Sequence, residues 1–165
     1  MPLYGTLLGL EHEGESVLGV IRIPALEECV YAAKGQGAWY VRGADPPKPA
    51  RVSDRQPLDK ALFVTSEVAC FEITHRRAAY DRLQAAARLT RTWGDCYGYF
   101  LVATGRAEVM IDPIMAVWDA APLPPILQEA GGTVTDWKGH PTIHAGEGAA
   151  TNGLLLDEVL RMLGE

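Results

Sequence analysis

Apolar and polar positions alternate in short runs over the first forty residues, then give way to longer helical spacing, so the chain changes character partway along. Leu3–Leu10, Ser16–Pro24, Glu28–Ala33 and Ala38–Val41 are short, apolar or alternating, and separated by Gly, Pro or charged turns. That pattern predicts strands, and the short links predict an antiparallel meander. From Arg42 to Pro57 the composition shifts to Gly, Asp, Pro and Lys, centred on Asp45-Pro46-Pro47-Lys48-Pro49. This reads as a surface connection. The expected organisation is an amino-terminal strand region over residues 1–57, ending in that connection, and a carboxyl-terminal α/β lobe over residues 58–165.

After the connection, Leu62–Ser66 reads as a buried strand, and Ile73–Arg88 has helical spacing with Ala78, Leu83, Ala86 and Ala87 on its apolar side. Leu89–Trp93 reads as a strand and Cys96–Thr104 as a helix, opened by Gly94 and ended by Gly105. Ala107–Ile111 and Thr133–Asp136 read as strands, Ala120–Ala130 as a helix, and Gly153–Leu163 as a closing helix with Asn152 as its cap. Pro122, Pro124 and Pro125 fall in the first turns of the helix expected at Ala120. Either the regular helix begins near Pro124 or its first turns are distorted. Strands alternating with helices predict an α/β layer built with crossover connections.

Composition narrows the function classes. Hydrophobic residues make up 48% and charged residues 22%, ordinary values for a globular chain of 165 residues. A net charge of −6 argues against a general nucleic-acid-binding face. No apolar run approaches a membrane span, and no basic-then-apolar leader opens the chain. Cys29, Cys70 and Cys96 are odd in number and far apart. They are expected to be reduced thiols in a cytoplasmic protein.

Trp118-Asp119-Ala120-Ala121, followed by Glu129-Ala130-Gly131-Gly132, sets a carboxylate near the start of a predicted helix that ends at glycines. An Asp so placed can hold a metal ion while helix N–H groups face an anion, or it can simply cap the helix. Asp95 has the same two readings, and Asp112 before Pro113 either touches a substrate or starts a turn. Cys96 is a candidate nucleophile only against the commoner reading of a buried thiol. His140 and His144 have the i,i+4 spacing of a zinc pair, but Pro141 and Gly146 argue against a helix there. Trp39, Trp93, Trp118 and Trp137 read as packing residues rather than an aromatic platform. Glu129 reads as a solvated helix residue.

Taken together, Trp93-Gly94-Asp95-Cys96-Tyr97-Gly98-Tyr99, Leu101-Val102-Ala103-Thr104-Gly105-Arg106-Ala107-Glu108, Asp112-Pro113, Trp118-Asp119 and Glu129-Ala130-Gly131-Gly132 resemble the carboxyl-terminal half of the inositol monophosphatase superfamily. The Gly-Asp-Cys-Tyr-Gly-Tyr wording is similar to its histidinol-phosphatase branch. Gly19-Val20-Ile21 to Pro24, Ala33-Lys34-Gly35-Gln36-Gly37-Ala38 and Ala150-Thr151-Asn152-Gly153 extend the likeness over nearly the whole chain.

The resemblance implies a magnesium-dependent phosphomonoesterase, here the carboxyl-terminal part of a layered αβαβα sandwich in which an antiparallel meander is followed by a mixed α/β layer. It implies Asp119 as a metal ligand, and Gly94, Asp95, Cys96 and Asp112 as contacts to the non-phosphate part of a small phosphorylated metabolite. Two anions, Asp95 and Asp112, suit a cationic amine such as that of histidinol better than a neutral polyol. Neither nucleic acid nor membrane is an expected partner, and a homodimer is. The family's main metal motif, Asp-Pro-(Ile/Leu)-Asp-Gly-Thr, and the Glu-Glu pair before it are absent from this sequence. The chain is therefore expected to be amino-terminally truncated and inactive or nearly so in isolation, since one Asp cannot organise a catalytic magnesium. The rival expectations are a non-catalytic assembly or binding module that keeps the fold, and a fragment of an inositol-phosphate or sugar-phosphate phosphatase.

Overall fold

A computed structural model describes residues 2–164. The first five strands, β1 (Thr6–His12), β2 (Glu15–Ile23), β3 (Glu28–Ala33), β4 (Ala38–Arg42) and β5 (Lys48–Pro49), form one antiparallel sheet in sequence order. Glu13 and Gly14 both take positive φ between β1 and β2, the backbone that a tight two-residue hairpin requires. The meander is as expected. Only the two-residue β5 lay hidden, because its proline content reads as loop.

The second half alternates helix and strand. It comprises β6 (Leu62–Thr65), α1 (Val68–Ile73), α2 (Arg77–Ala86), β7 (Leu89–Arg91), α3 (Cys96–Ala103) and β8 (Val109–Asp112). Then follow α4 (Val117–Ala120), α5 (Leu123–Glu129), β9 (Thr133–Thr135), β10 (Gly148–Thr151) and α6 (Leu156–Gly164). The second sheet has the order β7-β6-β8-β10-β9, with β6 parallel to β7 and β8 and the β10 pairings antiparallel.

Four layers stack. Ile21, Ile23 and Val30 from the first sheet and Val64, Met110 and Ala150 from the second enclose α3 and α5 in one core. Seven of the eight residues of α3 are buried, which is why its sequence is apolar all round and not on one stripe. On the far side of the second sheet, Phe63, Val109 and Ile111 pack against Phe71 of α1, Leu83 of α2 and Val159 of α6. The order is sheet, helices, sheet, helices. Close approach between the layers depends on glycine: a Cβ on Gly9 would stand 2.7 Å from the Ala121 backbone, and one on Gly19 2.0 Å from the Pro122 oxygen.

The opposite face of the first sheet is also apolar. Register sets Leu8 beside Val20, Val20 beside Tyr31, and Tyr31 beside Trp39, a ladder across four strands. Leu8 is 53% exposed and the other three are half-buried. No helix among the described residues covers them.

The expected layout needs correction at several points. The helix read over Ile73–Arg88 begins only at Arg77, as α2, after a turn in which His75 takes φ +58°; the separate helix α1 ends at Ile73. His75 is exposed in that turn, not on a helix face. The helix read from Ala120 to Ala130 is two helices, with the break at Ala121-Pro122 and Pro124 and Pro125 in the first turn of α5, where the missing N–H groups cost nothing. Asn152 does not cap α6, which starts four residues later; its Nδ2 donates to the Arg55 carbonyl at 2.9 Å. Gly148–Thr151, unassigned in the sequence, is the interior strand β10 between β8 and β9, its residues too small to announce it.

Candidate active site

Strands β7, β6 and β8 run parallel, and their carboxyl ends open onto one cleft of about 440 Å³. In α/β sheets this is where crevices form, because the connections leaving adjacent strands part there. Ser66 directly follows β6, Asp112 is the last residue of β8, and Asp95 lies in the link from β7 to α3. Asp119 comes from α4, and with Leu7 of β1 it completes the lining on the side of the first sheet. Asp95, Cys96, Asp112 and Asp119, far apart in sequence, therefore share one cavity.

Ser66 ties the floor together. Its Oγ donates to Asp112 Oδ1 at 2.5 Å and accepts from the Asp95 N–H at 2.9 Å. Gly94 makes that approach possible, since a Cβ there would lie 1.9 Å from the Ser66 Cα. The next residue, Asp95, holds φ +52° and ψ −145°, unusual for a side-chain-bearing residue. Its side chain makes no capping bond to α3 and is exposed to the cleft. Asp119 is half-buried in the single turn of α4, whose N-cap is Ala116. So neither Asp95 nor Asp119 caps its helix.

Asp112 is 5% exposed. Burial pushes its carboxyl up to about 6, although the Ser66 and Tyr99 hydroxyls oppose the rise by favouring the anion. The Tyr99 hydroxyl is fully buried beside it without a well-aligned hydrogen bond to any protein atom. Burial also pushes the Cys96 thiol up to about 11, with Asp95 adding to the rise. The thiol stays protonated at neutral pH, which removes the nucleophile reading.

Ser66 and Tyr99 are the site residues that sequence reasoning missed. Ser66 had a usable signal, as the first polar residue after a buried strand at its carboxyl end. Tyr99 had none, since it sits in an apolar helix. Trp118 is 73% exposed and Trp93 40%, so these two do not pack the core; only Trp137 is buried. His140 accompanies Asp136, its Nδ1 2.9 Å from Oδ2, and His144 lies near Glu11, so the two do not form a zinc pair. Glu129 is no free surface residue: its carboxylate accepts from the Gly35 and Gly37 N–H groups at 2.6 and 2.7 Å.

The donors in the cleft do not amount to a full metal centre. Among the described residues no three His, Cys, Asp or Glu side chains converge closely enough to hold an ion. Asp119 can offer a carboxylate, Asp95 lines the same cavity, and Asp112 is engaged by Ser66. A catalytic divalent ion would need further oxygen ligands. No helix among the described residues is long and apolar enough to cross a membrane.

Comparison with known proteins agrees with this architecture. Residues 1–163 match the model of the inositol monophosphatase family. The chain is 43% identical over 148 residues to a histidinol-phosphatase of Chlorobaculum parvum, covering 90% of this chain and 55% of that protein. It is 35% identical over 164 residues to a histidinol-phosphatase of Mycobacterium tuberculosis, covering 99% and 63%. An inositol monophosphatase structure from Zymomonas mobilis superposes with a TM-score of 0.90 at 27% identity, over 99% of this chain and 64% of that one. One from Anabaena gives 0.87 at 30%, over 98% and 66%. The chain thus spans between 55% and 63% of the length of the two histidinol-phosphatases.

Proposed function

The chain belongs to the inositol monophosphatase family, and from that premise we propose that it supplies the substrate-orienting wall of a phosphomonoester hydrolase acting on an aminated phosphate ester such as histidinol phosphate. The observation that carries this reading is the delivery of Asp95, Asp112 and Ser66 to one cleft by three parallel strand ends, with Asp119 lining the same cleft. Asp112 and Asp95 give a cationic amine two carboxylates to pair with, and Ser66 holds both in register. A neutral inositol ring would gain no such pairing, and the 43% identity to a histidinol-phosphatase supports the same preference.

In this reading Asp119 is one ligand of a magnesium ion whose remaining oxygen ligands lie outside the described residues. Gly94 keeps the turn close to Ser66, and Cys96 lends only a neutral wall. The isolated 165-residue chain then has little or no phosphatase activity, because activating water and stabilising the departing alkoxide both need more carboxylate ligands than the cleft holds. The protein acts in the cytoplasm on a small metabolite and self-associates as a homodimer.

Two measurements test this. Histidinol phosphate titrated into the metal-free chain should shift the amides of Asp95 and Asp112, and Asp112→Asn should weaken binding by roughly tenfold, the usual scale for losing one charged contact. Inositol monophosphate binding as well as histidinol phosphate would overturn the substrate assignment. In a phosphatase assay with magnesium, turnover should stay at background. A rate of about 1 per second or more, abolished by Asp119→Asn, would refute the inactivity.

A further inference from the structure

Away from the acidic cleft, the cations of this acidic chain gather around a single arginine. Arg106 lines two adjoining cavities, of about 370 and about 320 Å³, that share no lining residue with the cleft of Asp95, Asp112 and Asp119. Arg42, Lys48 and Arg51 line the first cavity with it, and Arg55, Lys60 and Arg88 the second. Seven of the fifteen basic residues of a chain with net charge −6 thus meet in one place.

The only carboxylate lining either cavity is Glu28, and it is already engaged. Glu28 is 5% exposed, accepts from the Tyr40 hydroxyl at 2.8 Å, and pairs with the Arg106 guanidinium at 3.1 Å. The Arg106 Nε donates to Thr104 Oγ1 at 2.9 Å. Arg106 is therefore fixed in place before any ligand arrives, between the two cavities, with Lys48 4.9 Å and its own guanidinium 5.7 Å from the Tyr40 ring centre. Arg55 is held by buried Glu108 at 3.3 Å. Arg42, Lys48, Arg51, Lys60 and Arg88 have no carboxylate partner among the described residues.

We infer that these two cavities form a second ligand site, for a small polyphosphate anion held where they meet at Arg106, its oxygens shared between the cations of both walls. Each cavity offers three cations besides the shared arginine, and guanidinium groups suit phosphate oxygens through paired donors. Concave basic walls concentrate an anion locally even when the whole molecule is acidic. A long polynucleotide fits poorly: its charge would extend past the two cavities, and the one aromatic ring lining them, Tyr40, already lies under Lys48 and Arg106. The site is independent of the proposed phosphatase activity and needs no metal.

Inorganic pyrophosphate titrated into the chain in the presence of a chelator, followed by amide shifts and calorimetry, tests the site. Saturable binding should perturb Lys48–Arg51 and Arg106 while leaving Asp112 and Asp119 in place. Monophosphate should bind roughly tenfold more weakly, and raising salt from about 50 to about 200 mM should weaken pyrophosphate several-fold. The double variants R42Q/K48Q and K60Q/R88Q, all surface changes, should each raise the dissociation constant by roughly tenfold. Shifts centred on Asp95 and Asp119, unchanged affinity in both double variants, or tighter binding of polyuridylate than of pyrophosphate would each overturn the inference.

Discussion

Gly94 leaves no room for a methyl group, and this is the sharpest constraint on any single residue of the cleft. With Cβ 1.9 Å from the Ser66 Cα, the clash is with backbone and cannot be relieved by a rotamer change. Gly94→Ala should lower stability by about 1 to 3 kcal/mol, read from urea unfolding, and should disturb the Ser66–Asp112 bond as well. Asp112 makes a prediction about pH. Its carboxyl is raised from 3.8 to about 6, so between those values the folded chain keeps a proton that the unfolded chain has lost. Stability is therefore highest below pH 4 on this account and falls as pH rises through 6, by up to about 3 kcal/mol. Asp112→Asn should abolish that slope, which the difference between the variant and parent unfolding curves across this range would reveal. Ligand pairing has the opposite sign. Below pH 6 Asp112 becomes neutral, so binding of a cationic amine should weaken there.

Among the elements, the short β3–β4 link is held by a helix far along the chain. The last residue of α5, Glu129, accepts two N–H groups from Gly35 and Gly37. Glu129→Ala should cost about 1 to 3 kcal/mol and speed hydrogen exchange at those two amides more than elsewhere in the sheet. Nothing local in the sequence discloses such a clasp, since its partners are 94 and 92 positions away. The elements that were legible are those whose signal is local. Glu28–Ala33 alternates cleanly and is a strand with those bounds, and the all-apolar run from Cys96 is the buried helix α3. Periodicity failed where backbone geometry overruled it: His75 turns left-handed inside a helical pattern, and small residues build the interior strand Gly148–Thr151. Of the cleft, the carboxylates were legible because motifs named them. Ser66 and Tyr99 emerged only when strands put them beside Asp112.

For the molecule as a whole, the feature that matters most is the outer face of the first sheet. The ladder Leu8, Val20, Tyr31 and Trp39 ends at β1, an edge strand, so both an apolar surface and an open set of backbone groups are offered together. Self-association should follow, and the pair Leu8→Lys with Val20→Lys should shift sedimentation toward a single chain while leaving the fold intact, as circular dichroism would check. Pairing of this kind is driven mainly by the release of ordered water, and that drive fades as the solution is chilled. A refrigerated sample should hold more separate chains than one at room temperature, and added sulfate should reverse the loss; thermometer and salt bottle thus become probes of what four side chains on one sheet would rather touch.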